Sequence, residues 1–342
     1  MTAVTWPRAD AVAERLLVID PAADDFHDAA VRDLVELPRA GDLLVVNDAA
    51  TLPASLHGTT AEGAPVEARL VGREGFAFRC VVFGAGDWRL RTEWRPAAPP
   101  LARGAILRFG GDLEARVTDD PEGTRARLVT VEFNQQGDRL WSALYRLGRP
   151  VQYSYIRAPL SLFHVQTGYA SRPWAAEMPS AGRPLAWSLL LGLRARGVGL
   201  ARVTHAAGLS STGDAALDAS LPWPERFDVP EDTVDAVRAT HRSGGRVIAV
   251  GTSVVRALEG DALLHGGELA AGEGTTNLVI GPGFVPRVVR GLFTGLHEAT
   301  ASHFALLQAF ASKELLDRAY AHATTAGYEG HEFGDSCLIL AR

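Results

Sequence analysis

The sequence has very little cysteine, and its two cysteines are far apart. Cys80 and Cys337 are the only ones among 342 residues, and neither has a Cys-x-x-Cys partner. Disulfide-stabilised domains and zinc ribbons need several cysteines at short spacing. We therefore expect both thiols to be reduced residues of the core.

Long apolar runs are also absent near the N-terminus. Residues 1–20 include Arg8, Asp10, Glu14 and Arg15 and have no apolar stretch long enough for a signal sequence or a membrane span. The chain is 47% hydrophobic and 22% charged, which is typical of a soluble globular protein with one large core or two moderate ones. We expect a cytoplasmic protein with no membrane partner. The sequence leaves the oligomeric state open.

Lysine is almost missing, because Lys313 is the single example and nearly every positive charge is a guanidinium. The formal net charge of −6 argues against a polyanion partner for the chain as a whole. Segment 59–150 differs, since it has 14 arginines against 12 acidic residues, whereas the remainder has 20 basic against 28 acidic residues. A surface for nucleic acid would therefore be local. A codon bias toward arginine explains the same excess without any partner.

Apolar segments and turn residues predict helices and strands at both ends of the chain. The first part is read as a strand over 15–20, a helix over 31–37 and a strand over 43–47. After residue 150, strands are predicted over 199–204 and 246–250, and helices over 185–196, 231–243, 253–259 and 302–323.

Between these parts the pattern changes to short β-rich pieces separated by Gly, Pro and Asp. The pieces cover 66–71, 76–83, 88–94, 105–109, 114–118 and 125–133. Such spacing is typical of a small antiparallel barrel or sandwich. The fold class predicted is a mixed α/β domain, 1–58 with 151–342, interrupted by an inserted small antiparallel β-barrel domain over 59–150.

The clearest local chemical signal lies where the apolar segment 247–250 meets Gly251, Thr252 and Ser253. Here a strand is predicted to end where a helix begins, so unpaired backbone N–H groups and the helix dipole meet at one point. Such a point binds a carboxylate or a phosphate. The alternative is that Thr252 and Ser253 only cap the helix.

Other site classes find no support in the sequence. No Walker A motif is present, and no Gly-x-Gly-x-x-Gly follows a strand. His297, Glu298 and His303 do not have the His-Glu-x-x-His spacing of zinc proteases, and the glycine pattern around Ser253 is not that of a hydrolase nucleophile. We expect no metal site.

Seven segments in a fixed order carry a further signal. They are 41–47 with 52–54, 165–170, 179–182, 229–237, 247–259, His297 with residues 309–310, and Tyr328 with 333–335. Segment 247–259 is similar to the stretch VIAVGTTSVRALES, and 41–54 to GDLLVFNDTRVIPAR. On these segments the chain resembles the S-adenosylmethionine:tRNA ribosyltransferase-isomerase family of queuosine biosynthesis, from about Arg15 to the end.

Several positions depart from the family pattern. Ala50 and Ser55 stand where the family has two arginines, and Pro184 stands where it has the histidine of PTAGLHF. The family's HSE becomes Trp-Pro-Glu and keeps only the acid, Glu225. His205 is displaced by one position from the histidine of TLHVG.

The resemblance implies an unusual use of S-adenosylmethionine, as a ribosyl donor and co-substrate. A base removes a C5′ proton, which the sulfonium acidifies, and the ribose rearranges. The amine of 7-aminomethyl-7-deazaguanine in tRNA attacks, adenine and methionine leave, and epoxyqueuosine forms. This chemistry needs a general base, an anion site for the methionine carboxylate and a pocket for adenine.

The matching positions give the candidate site residues. Thr252, Ser253 and Arg256 are expected at the anion site, and His297 is the acid/base candidate. Weaker catalytic or orienting candidates are Glu225 and Asp335, and further substrate-binding candidates are Ser180 and Asn47.

The acceptor is the most open question. Besides tRNA, two alternatives stay open, namely a related enzyme with a small-molecule acceptor and a nucleoside-binding protein without catalysis. Arg89 with Arg91, and Arg125 with Arg127, are spaced to project from one face of a strand and are the RNA-binding candidates.

Overall fold

The computed structural model describes residues 1–119, 127–296 and 302–341. The strands in chain order are β1 Thr2–Ala3, β2 Arg15–Asp20, β3 Asp25–Ala30, β4 Leu43–Asn47, β5 Ala49–Thr51, β6 Ser55–Thr60, β7 Pro65–Glu74, β8 Ala77–Phe83, β9 Ile106–Arg108, β10 Glu114–Val117, β11 Leu128–Phe133, β12 Arg172–Ala175, β13 Gly199–His205, β14 Glu225–Val229, β15 Val247–Val250, β16 Gly272–Thr276, β17 Gly291–Gly295, β18 Glu329–Gly330 and β19 Ser336–Leu340. The helices are α1 Gly137–Leu147, α2 Trp187–Ala195, α3 Ala215–Asp218, α4 Glu231–Arg242, α5 Thr252–Leu264, α6 Ser302–Leu307 and α7 Lys313–Thr325.

The largest sheet has nine strands in the order β16-β14-β13-β4-β15-β17-β19-β2-β3. Its central strands β13, β4, β15 and β17 are parallel. Every residue of β4 and β15 is buried, as expected of parallel strands that are covered on both faces. The predicted strands over 15–20, 43–47, 199–204 and 246–250 are confirmed.

Apolar clusters cover both faces of this sheet. Alternate residues of a strand point to opposite faces. Val45 and Ala249 therefore join the cluster formed with α4, α5 and α7. Leu44 and Ile248 join the cluster formed with α2 and the 3₁₀ helix Val31–Glu36. Both faces of these strands therefore need apolar side chains, which explains the continuous runs of Val, Ile and Leu that predicted them.

The β-rich segment forms a closed barrel with the strand order β10-β11-β8-β7-β6-β9. All neighbouring strands in it are antiparallel. It has its own apolar core, to which Leu140 and Leu144 of α1 contribute. The predicted fold class is confirmed. The division into two domains, 1–58 with 151–342 and 59–150, stays a prediction.

Two predicted elements differ from the structure. Residues 88–94 are not a strand, because the Asp87 carboxylate accepts a hydrogen bond of 2.9 Å from Arg89 N and a 3₁₀ helix follows at Thr92–Trp94. The helix predicted over 302–323 is two helices, since Ser312 caps α7 by accepting a hydrogen bond of 3.2 Å from Leu315 N. None of the helices within the described ranges combines the length and apolar character that a membrane crossing requires.

Candidate active site

The candidate site lies at one edge of the nine-stranded sheet. The parallel strands β4, β13 and β15 end there at Asn47, His205 and Val250. The antiparallel strand β14 begins at the same edge with Glu225. Ligands of open α/β sheets bind outside the carboxyl ends of the strands, where neighbouring connections diverge. β4 is such a point, because β13 and β15 lie on its two sides.

The N-terminus of α5 opens at this edge. Gly251 connects β15 to α5 with a φ of 90°. Residues other than glycine rarely adopt this backbone conformation. As the N-cap residue, glycine has no side chain to accept hydrogen bonds from the first turn. Thr252 and Ser253 are half-buried in that turn. The predicted helix start is confirmed, and the backbone N–H groups give the region its partial positive charge.

Asn47 connects Ser253 to the neighbouring strand. Its Nδ2 donates to Ser253 Oγ at 3.2 Å and to His205 O at 3.1 Å. Its Oδ1 accepts from His205 N and Ala49 N, both at 3.0 Å. The side chain is 1% exposed, so these bonds hold Ser253 in a fixed position.

Glu225 and Arg256 form an ion pair beside the same helix. Arg256 Nη1 contacts Glu225 Oε2, and Arg256 Nε donates to Leu278 O at 3.0 Å. The other oxygen of Glu225 accepts from Gly208 N at 2.8 Å. The structure thus brings two of the sequence candidates together and leaves their side chains 11% and 12% exposed.

His205 lies beneath this pair and is fully buried. Its Nε2 is 3.3 Å from Glu225 Oε2 without the geometry of a hydrogen bond, and its Nδ1 has no partner among the described residues. Burial lowers the pKa of the His205 imidazole to about 4; Glu225 opposes this shift and Arg256 adds to it. The ring is therefore neutral at neutral pH. Arg256 Nη2 is likewise buried without a hydrogen-bond partner in the described part of the chain.

Ser180 lies in the short 3₁₀ helix Ser180–Gly182, which packs against the start of α5. A Cβ at Gly251 would be 3.3 Å from Ala181 Cβ, so the two segments are in close contact. The sequence match at 179–182 therefore belongs to the same edge as Ser253.

Asp335 precedes β19 at this edge and has a different environment. Its carboxylate accepts from Arg8 Nη1 at 2.6 Å, Arg15 N at 3.1 Å and Glu329 N at 2.8 Å. The residue is 1% exposed. These bonds suit an orienting role better than contact with a substrate.

The remaining candidates are distributed differently. His297 and Arg125 lie outside the described residues. Arg89 and Arg91 are exposed and pair with Asp87 and Glu93. The expectation that they project from one strand face is wrong, because residues 88–94 are turns and a 3₁₀ helix.

Arg127 is half-buried and turned into the protein, which also differs from the expected strand face. Its Nη2 donates to Arg95 O at 2.8 Å, and its guanidinium lies 5.0 Å from the centre of the Phe83 ring. It therefore supports the loop that contains Arg89 and Arg91.

The sequence offered almost no signal for two Tyr–Glu pairs, one of which includes Glu177, the residue after the cleft-lining Ala176. The Tyr153 hydroxyl contacts Glu177, and Ser210 N donates to the same carboxylate at 3.0 Å. Tyr155 forms a hydrogen bond with Glu332. Burial and the nearby Glu177 raise the pKa of the Glu332 carboxyl to about 8. Glu177 precedes the matched segment 179–182 by two residues, which is the only signal that the sequence offers.

A cleft separates the barrel from the sheet edge and has a volume of about 510 Å³. Glu225 forms part of its wall, together with side chains of β7, β8 and α1 on the barrel side. The described residues contain no group of three or more His, Cys, Asp or Glu that is arranged to hold a metal ion.

The structure combines an α/β sheet, which has an open helix N-terminus at its carboxyl edge, with a barrel on the other side of a cleft. The chain belongs to the S-adenosylmethionine:tRNA ribosyltransferase-isomerase family: the family model described as queuosine biosynthesis protein matches residues 3–339. The resemblance predicted from the seven segments is confirmed.

Similar proteins cover almost the whole chain. The S-adenosylmethionine:tRNA ribosyltransferase-isomerase of Anaeromyxobacter dehalogenans is 37% identical over 96% of this chain and 93% of its own length. That of Beijerinckia indica is 34% identical over 96% and 90%. The crystal structure of an S-adenosylmethionine tRNA ribosyltransferase from Thermotoga maritima has a TM-score of 0.53 and 26% identity, and the match covers 99% of this chain and 96% of that one.

Proposed function

We propose that this protein transfers the ribosyl portion of S-adenosylmethionine to the 7-aminomethyl-7-deazaguanine base of tRNA, with release of adenine and methionine. The family and the relatives' names support the reaction class. The arrangement at the start of α5 supports it above all. Asn47 and Ser253, on two segments that match the family, are hydrogen-bonded there, and Arg256 on the same helix pairs with Glu225, the retained acid of the family's HSE.

S-adenosylmethionine enters this proposal as co-substrate, and the residues present suit it. Its methionine carboxylate needs donors of partial or full positive charge. The first turn of α5 offers backbone N–H groups with the hydroxyls of Thr252 and Ser253, and Asn47 holds Ser253 in place. The Arg256 guanidinium lies one turn further along the helix, where Glu225 balances its charge and Nη2 has no hydrogen-bond partner among the described residues. Ser180 is adjacent in sequence to Ala181, which lies against Gly251.

The proton transfers need a group that can accept a proton near C5′ and return one to a leaving group. His297 remains our proposal for this role on sequence grounds. His205 is unsuited to it, because it is fully buried and its pKa is about 4. Asp335 acts through position, since its oxygens hold Arg8, Arg15 and Glu329.

The alternatives differ from this proposal in the acceptor and in turnover. A related enzyme with a small-molecule acceptor would release adenine without tRNA, and a nucleoside-binding protein would release none. The barrel favours a large acceptor, since its loop between β8 and β9, which Arg127 supports, carries the exposed arginines Arg89 and Arg91.

The test is adenine formation from S-adenosylmethionine at low salt, with and without tRNA that carries the precursor base. We expect adenine only when that tRNA is present. Adenine formation that is independent of tRNA, or that needs a small amine instead, would identify the enzyme with a small-molecule acceptor. No adenine under any condition would identify the binding protein.

A further inference from the structure

The cleft beside the sheet edge has the composition of a site for a planar base. Its walls carry three tryptophans, Trp141, Trp174 and Trp223, and the arginines Arg73, Arg79 and Arg226. Its volume of about 510 Å³ exceeds what a single base needs. Single-stranded nucleic acids bind to such surfaces by stacking bases on aromatic rings while guanidinium groups contact the backbone.

The aromatic walls are held in place by their neighbours. The Arg226 guanidinium lies 3.9 Å from the centre of the Trp174 ring, and Arg172 lies 5.3 Å from the same ring. Trp223 donates from Nε1 to Ser220 Oγ at 2.9 Å. The Trp174 and Trp223 rings are therefore positioned before any ligand arrives.

Glu225 provides the hydrogen-bonding edge of this cleft. A carboxylate only accepts hydrogen bonds, and its two oxygens have about four acceptor positions. Arg256 Nη1 uses one position on Oε2 and Gly208 N uses one on Oε1. Each oxygen retains another, because His205 Nε2 lies 3.3 Å from Oε2 but forms no hydrogen bond with it. The partner that fits both oxygens is a pair of adjacent N–H donors.

We propose that this cleft binds the acceptor base of the RNA and that Glu225 determines its specificity by accepting hydrogen bonds from N1–H and the exocyclic 2-amino group of a guanine-type base. The inference rests on the proposed function and names the site for its second substrate. Adenine has a hydrogen-bond acceptor at N1. Opposite the Glu225 carboxylate, two acceptors would face each other without a donor between them, so adenine should bind poorly.

The position of Glu225 also joins the two substrate sites. Its partner Arg256 lies four residues after Thr252 on α5, and residues at this spacing share one face of a helix. The acceptor base in the cleft and the donor at the α5 N-terminus are therefore linked by one ion pair.

The test measures binding of two tRNAs by fluorescence anisotropy, one with 7-aminomethyl-7-deazaguanine and one with the same base lacking its 2-amino group. We expect the wild-type protein to bind the second RNA roughly 10-fold more weakly, because it cannot form one hydrogen bond to a charged group. Glu225→Gln should bind both RNAs with similar affinity. Glu225→Asp keeps the carboxylate and should retain a preference for the 2-amino group.

A matched control is Glu231→Gln, which changes an exposed glutamate just beyond the far end of β14. It should discriminate between the RNAs as the wild type does. Equal binding of both RNAs by the wild type, or unchanged discrimination in Glu225→Gln, would overturn the inference. Adenine formation with the first RNA is measured in parallel and tests the proposed function separately, since binding discrimination does not depend on turnover.

Discussion

Asn47 shows how a single side chain assembles the donor site. Its amide joins the end of β4 to His205 at the end of β13 and to Ser253 at the start of α5. Those partners are 158 and 206 positions away in the sequence. The sequence predicted that Thr252 and Ser253 begin a helix, because that signal is local. It could not predict which side chain orients Ser253, because only the strand order places Asn47 there.

Ser253→Ala tests the donor site at the residue scale. The change removes one hydroxyl at the α5 N-terminus, so we expect S-adenosylmethionine to bind roughly 3- to 10-fold more weakly in isothermal titration calorimetry. Ser312→Ala is the control, since Ser312 begins α7 and caps it through Leu315 N. That variant should lose about 1 kcal/mol of stability and keep its affinity. If Ser253→Ala and Ser312→Ala changed the affinity for S-adenosylmethionine equally, the assignment of Ser253 to the donor site would be wrong.

At the scale of elements, the barrel depends on a buried ion cluster. Glu67 on β7 contacts Arg69 Nε at 2.7 Å and also Arg95 Nη1, and the three side chains are at most 2% exposed. Burial alone would raise the pKa of Glu67, but the two guanidinium groups outweigh it and lower the pKa to about 2. The cluster joins β7 to the loop that precedes β9.

Glu67→Gln should therefore destabilise the protein strongly at neutral pH, by about 3–5 kcal/mol, because two buried guanidinium groups lose their counter-charge. Urea unfolding measures this change. Glu114→Gln removes an exposed pair with Arg108 and should cost at most about 1 kcal/mol.

The same variant has a defined pH dependence. The folded-state pKa of Glu67 lies below its ordinary value of 4.5, so the ionised group stabilises the fold above pH 4.5. This contribution is lost as pH falls toward about 2. The difference between wild type and Glu67→Gln should shrink over that window, and a constant difference would refute the assignment.

The elements that the sequence predicted share one property, which is a strong local pattern. Buried parallel strands such as β4 and β15 are continuous apolar runs, and α4 begins with acidic residues and ends with basic ones. Residues 88–94 alternate like a strand, but Asp87 and Arg89 close a turn there. The closure of the barrel depends on pairing between β6 and β9, which are far apart in sequence.

At the scale of the whole molecule, the net charge of −6 means that any contact with RNA must be local. Arg89 and Arg91 are exposed on one loop, and each lies close to a neighbouring tryptophan, Trp88 or Trp94. Thr92 of this loop lies next to Gly213, in the segment that continues from Gly208 at the cleft. Arg89 and Arg91 therefore remain the candidates for the proposed RNA contact, even though the expected strand face is not there.

Replacing Arg89 and Arg91 by Ala should weaken tRNA binding and reduce its salt dependence. For each phosphate that the variant no longer neutralises, the slope of log K against log salt should become shallower by about 0.7–0.9. Filter binding between low and moderate salt measures both quantities. Arg318→Ala is the control, because Arg318 is a similarly exposed, paired arginine on α7. An unchanged slope in the double variant would exclude these arginines as phosphate ligands.

The central claim is that S-adenosylmethionine gives this protein's RNA substrate its ribosyl portion and not its methyl group. The most direct measurement compares S-adenosylmethionine labelled in the ribose with S-adenosylmethionine labelled in the methyl group, using tRNA that carries 7-aminomethyl-7-deazaguanine as acceptor. We predict that the ribose label enters the tRNA with one adenine released per label, while the methyl label leaves in methionine. Methyl label in the tRNA, or no ribose label there while adenine is released, would contradict the account.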